Sequence, residues 1–218
     1  MNTLTSAPLA PLLERLFAEA DAAKSPAASE FSREERERLM QSKTEYLSFY
    51  GCLKDLWLPV SRETGKLLYM LARATGAQSI IEFGTSFGIS TLHLAAALRD
   101  NGGGHLITSE FEPGKIARAR EHLTEGGVID LVEMRAGDAL ETLGRDLPAR
   151  IDLLLLDGAK ALYPEILRLT ESRLRPGAVI VADNADYSPE YLERVRAPNS
   201  GYVSTPFADD VELSVRLG

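Results

Sequence analysis

The twelve residues from Ser79 to Ser90, Ser-Ile-Ile-Glu-Phe-Gly-Thr-Ser-Phe-Gly-Ile-Ser, constrain the fold more than any other part of the chain. A short apolar run reaches Glu82, a glycine-spaced turn follows, and Thr91-Leu92-His93-Leu94-Ala95-Ala96-Ala97-Leu98 continues with an apolar pattern of helical period. That order spells a buried strand, a loop and a helix. Gly84 and Gly88 permit backbone conformations and approach distances that a side chain forbids, and the first turn of the helix offers unpaired N–H groups to a ligand. The spacing is Glu-x-Gly-x-x-x-Gly rather than Gly-x-Gly-x-x-Gly, and Glu82 would repel a pyrophosphate. A cationic, amine-bearing ligand suits it better. Alone, the stretch is equally compatible with a plain strand-to-helix turn, so the rest of the chain has to decide.

Beyond residue 79, strand-like segments at 79–83, 105–110, 131–136, 151–157 and 178–183 alternate with helical ones, which predicts a parallel sheet covered on both faces. Residues 201–207 and 211–217, separated by Ala208-Asp209-Asp210, read as an antiparallel hairpin at the sheet edge. Residues 8–24 carry an apolar stripe through Leu9, Leu12, Leu13, Leu16, Phe17 and Ala20, and 24–29 read as a connector. Ser32 and Glu35 form a capping box for a second helix, whose face runs through Leu39, Met40, Tyr46, Leu47 and Tyr50. Ser61 caps a third, which stops at Gly76. The expected fold is a Rossmann-like, doubly wound α/β sheet of seven mostly parallel strands, with a C-terminal antiparallel hairpin. The three helices ahead of residue 79 read as an N-terminal helical appendage, the domain boundary being drawn between 58 and 59. The apolar face of the first helix needs a partner, which predicts either a cover over the acceptor site or a homodimer.

With 218 residues, one core is the expectation. No apolar run approaches the ~20 residues of a membrane span, and the amino terminus shows no basic-then-apolar signal. The single cysteine, Cys52, fits a reducing cytoplasm, and a net charge of −8 disfavours nucleic acid. Small-molecule chemistry is the remaining expectation.

Ligands of a doubly wound sheet bind beyond the carboxyl ends of its strands, and here those ends carry Glu82, Glu110, Asp138, Asp157 and Asp183-Asn184. Any one acid is explained by a cap or a turn. Five along one rim call for cationic or hydroxyl-bearing contents between them. Glu110, 26 residues after Gly84, is placed to accept from both hydroxyls of a ribose, and Gly137-Asp138-Ala139-Leu140 offers a carboxylate and a small residue near an adenine. This order resembles class I S-adenosylmethionine-dependent methyltransferases, whose sulfonium ligand carries no phosphate.

The second half is similar to the catechol and caffeoyl-CoA O-methyltransferase family, through Asp157-Gly158-Ala159-Lys160-Ala161-Leu162-Tyr163 and Arg175-Pro176-Gly177-Ala178-Val179-Ile180-Val181-Ala182-Asp183-Asn184. The resemblance covers about residues 58–218, including the stretch from Ser61 to Leu68 and Val211-Glu212-Leu213-Ser214. It implies that Val60, Glu82, Gly84, Thr85, Ser86, Gly88, Ser90, Glu110, Asp138, Ala139 and Asp157 line an S-adenosylmethionine pocket. It further implies that Asp157, Asp183 and Asn184 hold Mg²⁺, with Lys160 and Asp157 catalytic. All-oxygen donors suit that ion, and Lys160 must be neutral to serve as base. The implied acceptor is a small aromatic hydroxyl, catechol-like. Ile89 and Ala159 stand where the family often has aromatics, so the acceptor wall is expected to be wider. The rival readings are an NAD-dependent oxidoreductase, which the glycine spacing disfavours, and a non-catalytic binding module.

Overall fold

The computed structural model describes residues 2–23, 31–207 and 210–218. Helices α1 (Leu9–Ala22), α2 (Arg33–Met40), α3 (Tyr46–Cys52) and α4 (Arg62–Ala74) precede β1 (Ser79–Phe83). Then come α5 (Ile89–Asp100), β2 (His105–Glu110), α6 (Pro113–Glu125), β3 (Val132–Ala136), α7 (Ala139–Thr142), β4 (Ile151–Leu156) and α8 (Tyr163–Thr170). β5 (Leu174–Ala182), α9 (Pro189–Arg196), β6 (Tyr202–Phe207) and β7 (Val211–Arg216) complete the described chain. The seven strands form one sheet in the order β3-β2-β1-β4-β5-β7-β6. β1 to β5 pair in parallel, and the β6–β7 hairpin adds on antiparallel to β5. The expected Rossmann-like α/β architecture is present.

Every residue of β4 is buried, Asp152 included, and the four leucines that follow it suit a strand covered on both faces. Ile81, Leu154, Leu156 and Ile180 pack on one face of the sheet, and Ile80, Leu153, Leu155 and Val181 on the other. Each such side chain stabilises the fold by about 1.5–3 kcal/mol relative to leaving it in water. β5 begins at Leu174, earlier than the sequence suggests, because its first pair with Ile151 precedes a register irregularity before Leu153 meets Val179.

Three expectations change. The helix read through 33–50 is two helices, because Ser42 Oγ accepts from the Thr44 and Glu45 N–H groups and closes a turn between them. The third helix does not belong to an appendage: α4 lies along α5, with Leu68 and Ala72 in the cluster that covers the sheet. The apolar face of α1 is covered within the chain, where Leu9, Leu12 and Leu16 cluster with Leu92 and Ala95 of α5 and Leu123 of α6. The partner that this apolar stripe requires is thus supplied by α5 and α6 of the same chain. Among the described residues no helix is long and apolar enough to cross a membrane. The connector read at 24–29 and hairpin residues 208 and 209 lie outside the described residues.

Candidate active site at the carboxyl edge of the sheet

β1 has β2 on one side and β4 on the other, so the strand order reverses there and a crevice opens beyond the strand tips. The tips are tied to each other: the Asp157 N–H donates to the Phe83 carbonyl at 2.8 Å and the Asp183 N–H to Leu156 at 2.9 Å. Gly84, at φ 106°, runs so close that a Cβ there would lie 2.5 Å from the Asp157 carbonyl oxygen. A glycine is required by both conformation and contact.

Three cavities meet at Asp157. The first is bordered by Gly84, Ser86, Glu110, Asp138 and Ala139. The second, a narrow one, takes in Val60, Gly84, Thr85, Ser86 and Ser90, with Trp57 as a further wall. The third, about 430 Å³, contains Lys160, Asp183 and Asn184. The residues read as ribose-side, adenine-side and metal-side therefore occupy one connected edge.

Glu110 shapes the loop as well as facing the cavity. It accepts from the backbone N–H groups of Ser86 at 2.9 Å, Phe111 at 2.9 Å and Glu112 at 3.0 Å. A carboxylate has about four acceptor sites, so capacity remains for a ligand hydroxyl. Ser86 is held at φ 48°, and its Oγ is one of two buried side-chain polar atoms among the described residues without a partner. Ser86 borders two of the cavities, and an orphaned hydroxyl at that place fits a polar ligand.

Two sequence-predicted residues do not reach the cavities. Glu82 is fully buried under the loop, where Ser90 Oγ and Thr91 Oγ1 each donate to it at 2.6 Å. Thr108 donates as well and is itself paired with Thr85 Oγ1 at 2.5 Å. Burial pushes the Glu82 carboxyl up to about 7 despite those hydroxyls. It fastens β1 to α5 and presents no charge to a ligand. The cause is strand alternation, which turns Glu82 to the α5 face while the loop beyond Phe83 forms the rim. Gly88 likewise acts through backbone, capping α5 at φ 88° against Ala119.

At the metal-side end, Asp157 Oδ1 accepts from Lys160 Nζ at 2.8 Å, both groups being buried. Burial and the neighbouring Asp157 push the Asp183 carboxyl up to about 7. Desolvation lowers the Lys160 pKa, but Asp157, Tyr163, Tyr50 and Asp183 outweigh it and hold the ammonium well above its ordinary value. The neutral amine that a base requires therefore needs the charge of these neighbours to be offset. Asn184, in the left-handed conformation, donates its amide nitrogen to Asp210 at 2.6 Å, leaving its oxygen as the atom for a ligand.

Among the described residues no three His, Cys, Asp or Glu side chains surround one point. The donors are two carboxylates and an amide oxygen, an all-oxygen set with several positions left to water or substrate, which suits a hard cation such as Mg²⁺. Asp157, Asp183 and Asp210 crowd negative charge at this edge, which raises the Asp183 carboxyl and which such a cation would offset.

The sequence reading missed the contribution of α3. Tyr46 Oη donates to Asp138 Oδ2, and Tyr46, Leu47 and Tyr50 all border the first cavity. Asp210, on the β6–β7 hairpin, was also missed, and its signal was only its place opposite the strand tips.

Residues 81–185 match a family described as a methyltransferase domain. The chain is similar to a catechol O-methyltransferase of Niastella koreensis, 35% identical over 130 residues that cover 58% of either protein. It is also similar to a catechol O-methyltransferase of Mycobacterium tuberculosis, 36% identical over 127 residues, 58% of this chain and 57% of the other. The chain thus matches less than two thirds of the length of these relatives. Among solved structures it resembles the O-methyltransferase TomG of Streptomyces achromogenes in complex with S-adenosylmethionine. That likeness has a TM-score of 0.65 and 27% identity, and covers 93% of this chain and 95% of the other.

Proposed function

We propose that this chain, a methyltransferase by fold with a methyltransferase domain over residues 81–185, transfers a methyl group from S-adenosylmethionine to the hydroxyl of a catechol-like acceptor with the aid of a divalent cation. The observation that carries the reading is the meeting of three cavities at Asp157, beside a buried carboxylate pair and a buried lysine. The catechol O-methyltransferase names of the two relatives support the acceptor class.

On this reading the cavities beside Gly84 take the donor. Ser86 and Glu110 hold its sugar, Asp138 and Ala139 its base, and Val60, Thr85 and Ser90 its amino-acid end. S-adenosylmethionine supplies an activated methyl group on a sulfonium. Asp157, Asp183 and Asn184 would hold Mg²⁺, which would supply Lewis acidity toward two acceptor oxygens. Asp157 is the largest of the neighbours that raise the Lys160 pKa, so with its charge offset the amine is the group placed to take the proton of the adjacent acceptor hydroxyl. The fixed strand tips keep acceptor oxygen and donor methyl within reaction distance. α3 acts as a cover on this reading, since its Tyr46, Leu47 and Tyr50 border the donor cavity.

The test is methyl transfer from S-adenosylmethionine to a catechol panel, with and without EDTA. Product that disappears on chelation and returns with Mg²⁺ is the expected result. Undiminished product in EDTA would remove the metal, and no product under any condition would contradict the activity.

A further inference from the structure

We infer that the natural acceptor carries a long apolar substituent, seated in the cavity under α2 and α3 while its hydroxyls lie at Asp157 and Lys160; this rests on the methyl-transfer reading above. At about 430 Å³ that cavity lies within the ~300–1,000 Å³ typical of clefts for drug-sized ligands, which is more than a single aromatic ring fills. Its lining is of two kinds. The strand tips contribute Asp157, Lys160, Asp183 and Asn184, whereas α2, α3 and the loop after them contribute Met40, Phe49, Leu53, Leu56 and Leu58. Arg36, engaged in an interaction of its own, also borders the cavity.

The apolar part is a formed surface. Phe49 and Leu53 are 3% and 8% exposed and make, with Leu39, a cluster separate from those of the sheet. Phe49 meets the rings of Phe31 and Tyr50 edge-on at 5.4 and 5.1 Å, which fixes its face. Leu58, by contrast, is 40% exposed. An apolar lining continuous with the reaction centre gains its energy only from apolar ligand surface, and catechol itself offers none beyond the ring. Each methylene added to the acceptor and buried there is worth about a fourfold fall in KM, with kcat little changed, because the tail is held equally in the ground and transition states.

The experiment uses the full chain with catechol and its 4-methyl, 4-butyl and 4-octyl derivatives. KM from steady-state turnover is set beside Kd from calorimetric titration in the presence of S-adenosylhomocysteine. A descending ladder in both quantities is expected, and Met40→Gln and Leu56→Gln should each flatten it. Catechol turned over as well as its alkylated forms, with flat or rising KM and Kd, would overturn the inference while leaving methyl transfer intact. A ladder in Kd with no turnover of any catechol would do the reverse, sinking the activity and sustaining the apolar subsite.

Discussion

β1, β4 and β5 carry Gly84, Asp157 and Asp183 on strands whose apolar side chains are nearly all fully buried, whereas α2 and α3 rest against the same edge through a small cluster and a few polar anchors. Those anchors are Lys43, bonded to Glu165 at 2.9 Å and Glu190 at 2.6 Å, and the Tyr46 hydroxyl on Asp138. Exposed ion pairs of the Lys43 kind are worth at most about 1 kcal/mol. The groups that would perform the chemistry are thus fixed by the core, while those that would select the acceptor belong to a lightly held cover. Acceptor range can then change without loss of the reaction centre.

The difference can be broken or sharpened by substitution. The largest effect is expected from Asp183→Asn, which removes one carboxylate of the pair while leaving the donor cavities as they are. The loss in kcat/KM should be at least about a hundredfold, with S-adenosylhomocysteine affinity by calorimetry nearly unchanged. Equal activity would show that the strand tips do not carry the chemistry.

Lys160→Met comes next, read as stability. It strips the buried carboxylates of their internal cation, at a cost of about 3–5 kcal/mol by chemical denaturation in EDTA. Mg²⁺ should restore part of that loss. A variant as stable as the parent in chelator would mean the pair is not internally compensated by Lys160.

Glu82→Gln should move stability the other way. The folded carboxyl sits at about 7 against 4.5 in the open chain, so the folded state binds the extra proton between those values and stability falls as pH rises through them. Near pH 8 the variant should gain up to about 3 kcal/mol, and its advantage should vanish below pH 4.5. His93, lowered to about 4 by burial, has the opposite sign and loses stability as pH falls from 6.5, so the comparison is cleanest above neutrality. A variant destabilised at pH 8 would show that the hydroxyls of Ser90 and Thr91 require the ionised form.

The smallest change is expected in the cover. Tyr46→Phe should cost about 1 kcal/mol or less in stability and shift donor affinity by less than about tenfold. An effect as large as that of Asp183→Asn would erase the distinction between core-held and cover-held groups.

Legibility in the sequence follows the same division. The glycine loop, the apolar strands and the order of acidic tips were readable, because each is a local pattern fixed by burial on two faces. Glu82 misled because a position at the end of a strand was read without its alternation, which turns the side chain to α5. The break between α2 and α3 was hidden in Gln41-Ser42-Lys43-Thr44, where a serine turn outweighs an apolar face that otherwise continues. Tyr46 and Tyr50 counted there as apolar surface, and only the fold of the cover over the crevice shows that they face the donor cavity.

The most direct measurement of the account is transfer of a labelled methyl group from S-adenosylmethionine to 4-butylcatechol by the parent chain and by the double variant Asp157→Ala, Asp183→Ala, with Mg²⁺ present. The account predicts methylated catechol from the parent and none above background from the variant. Equal product from both would contradict it.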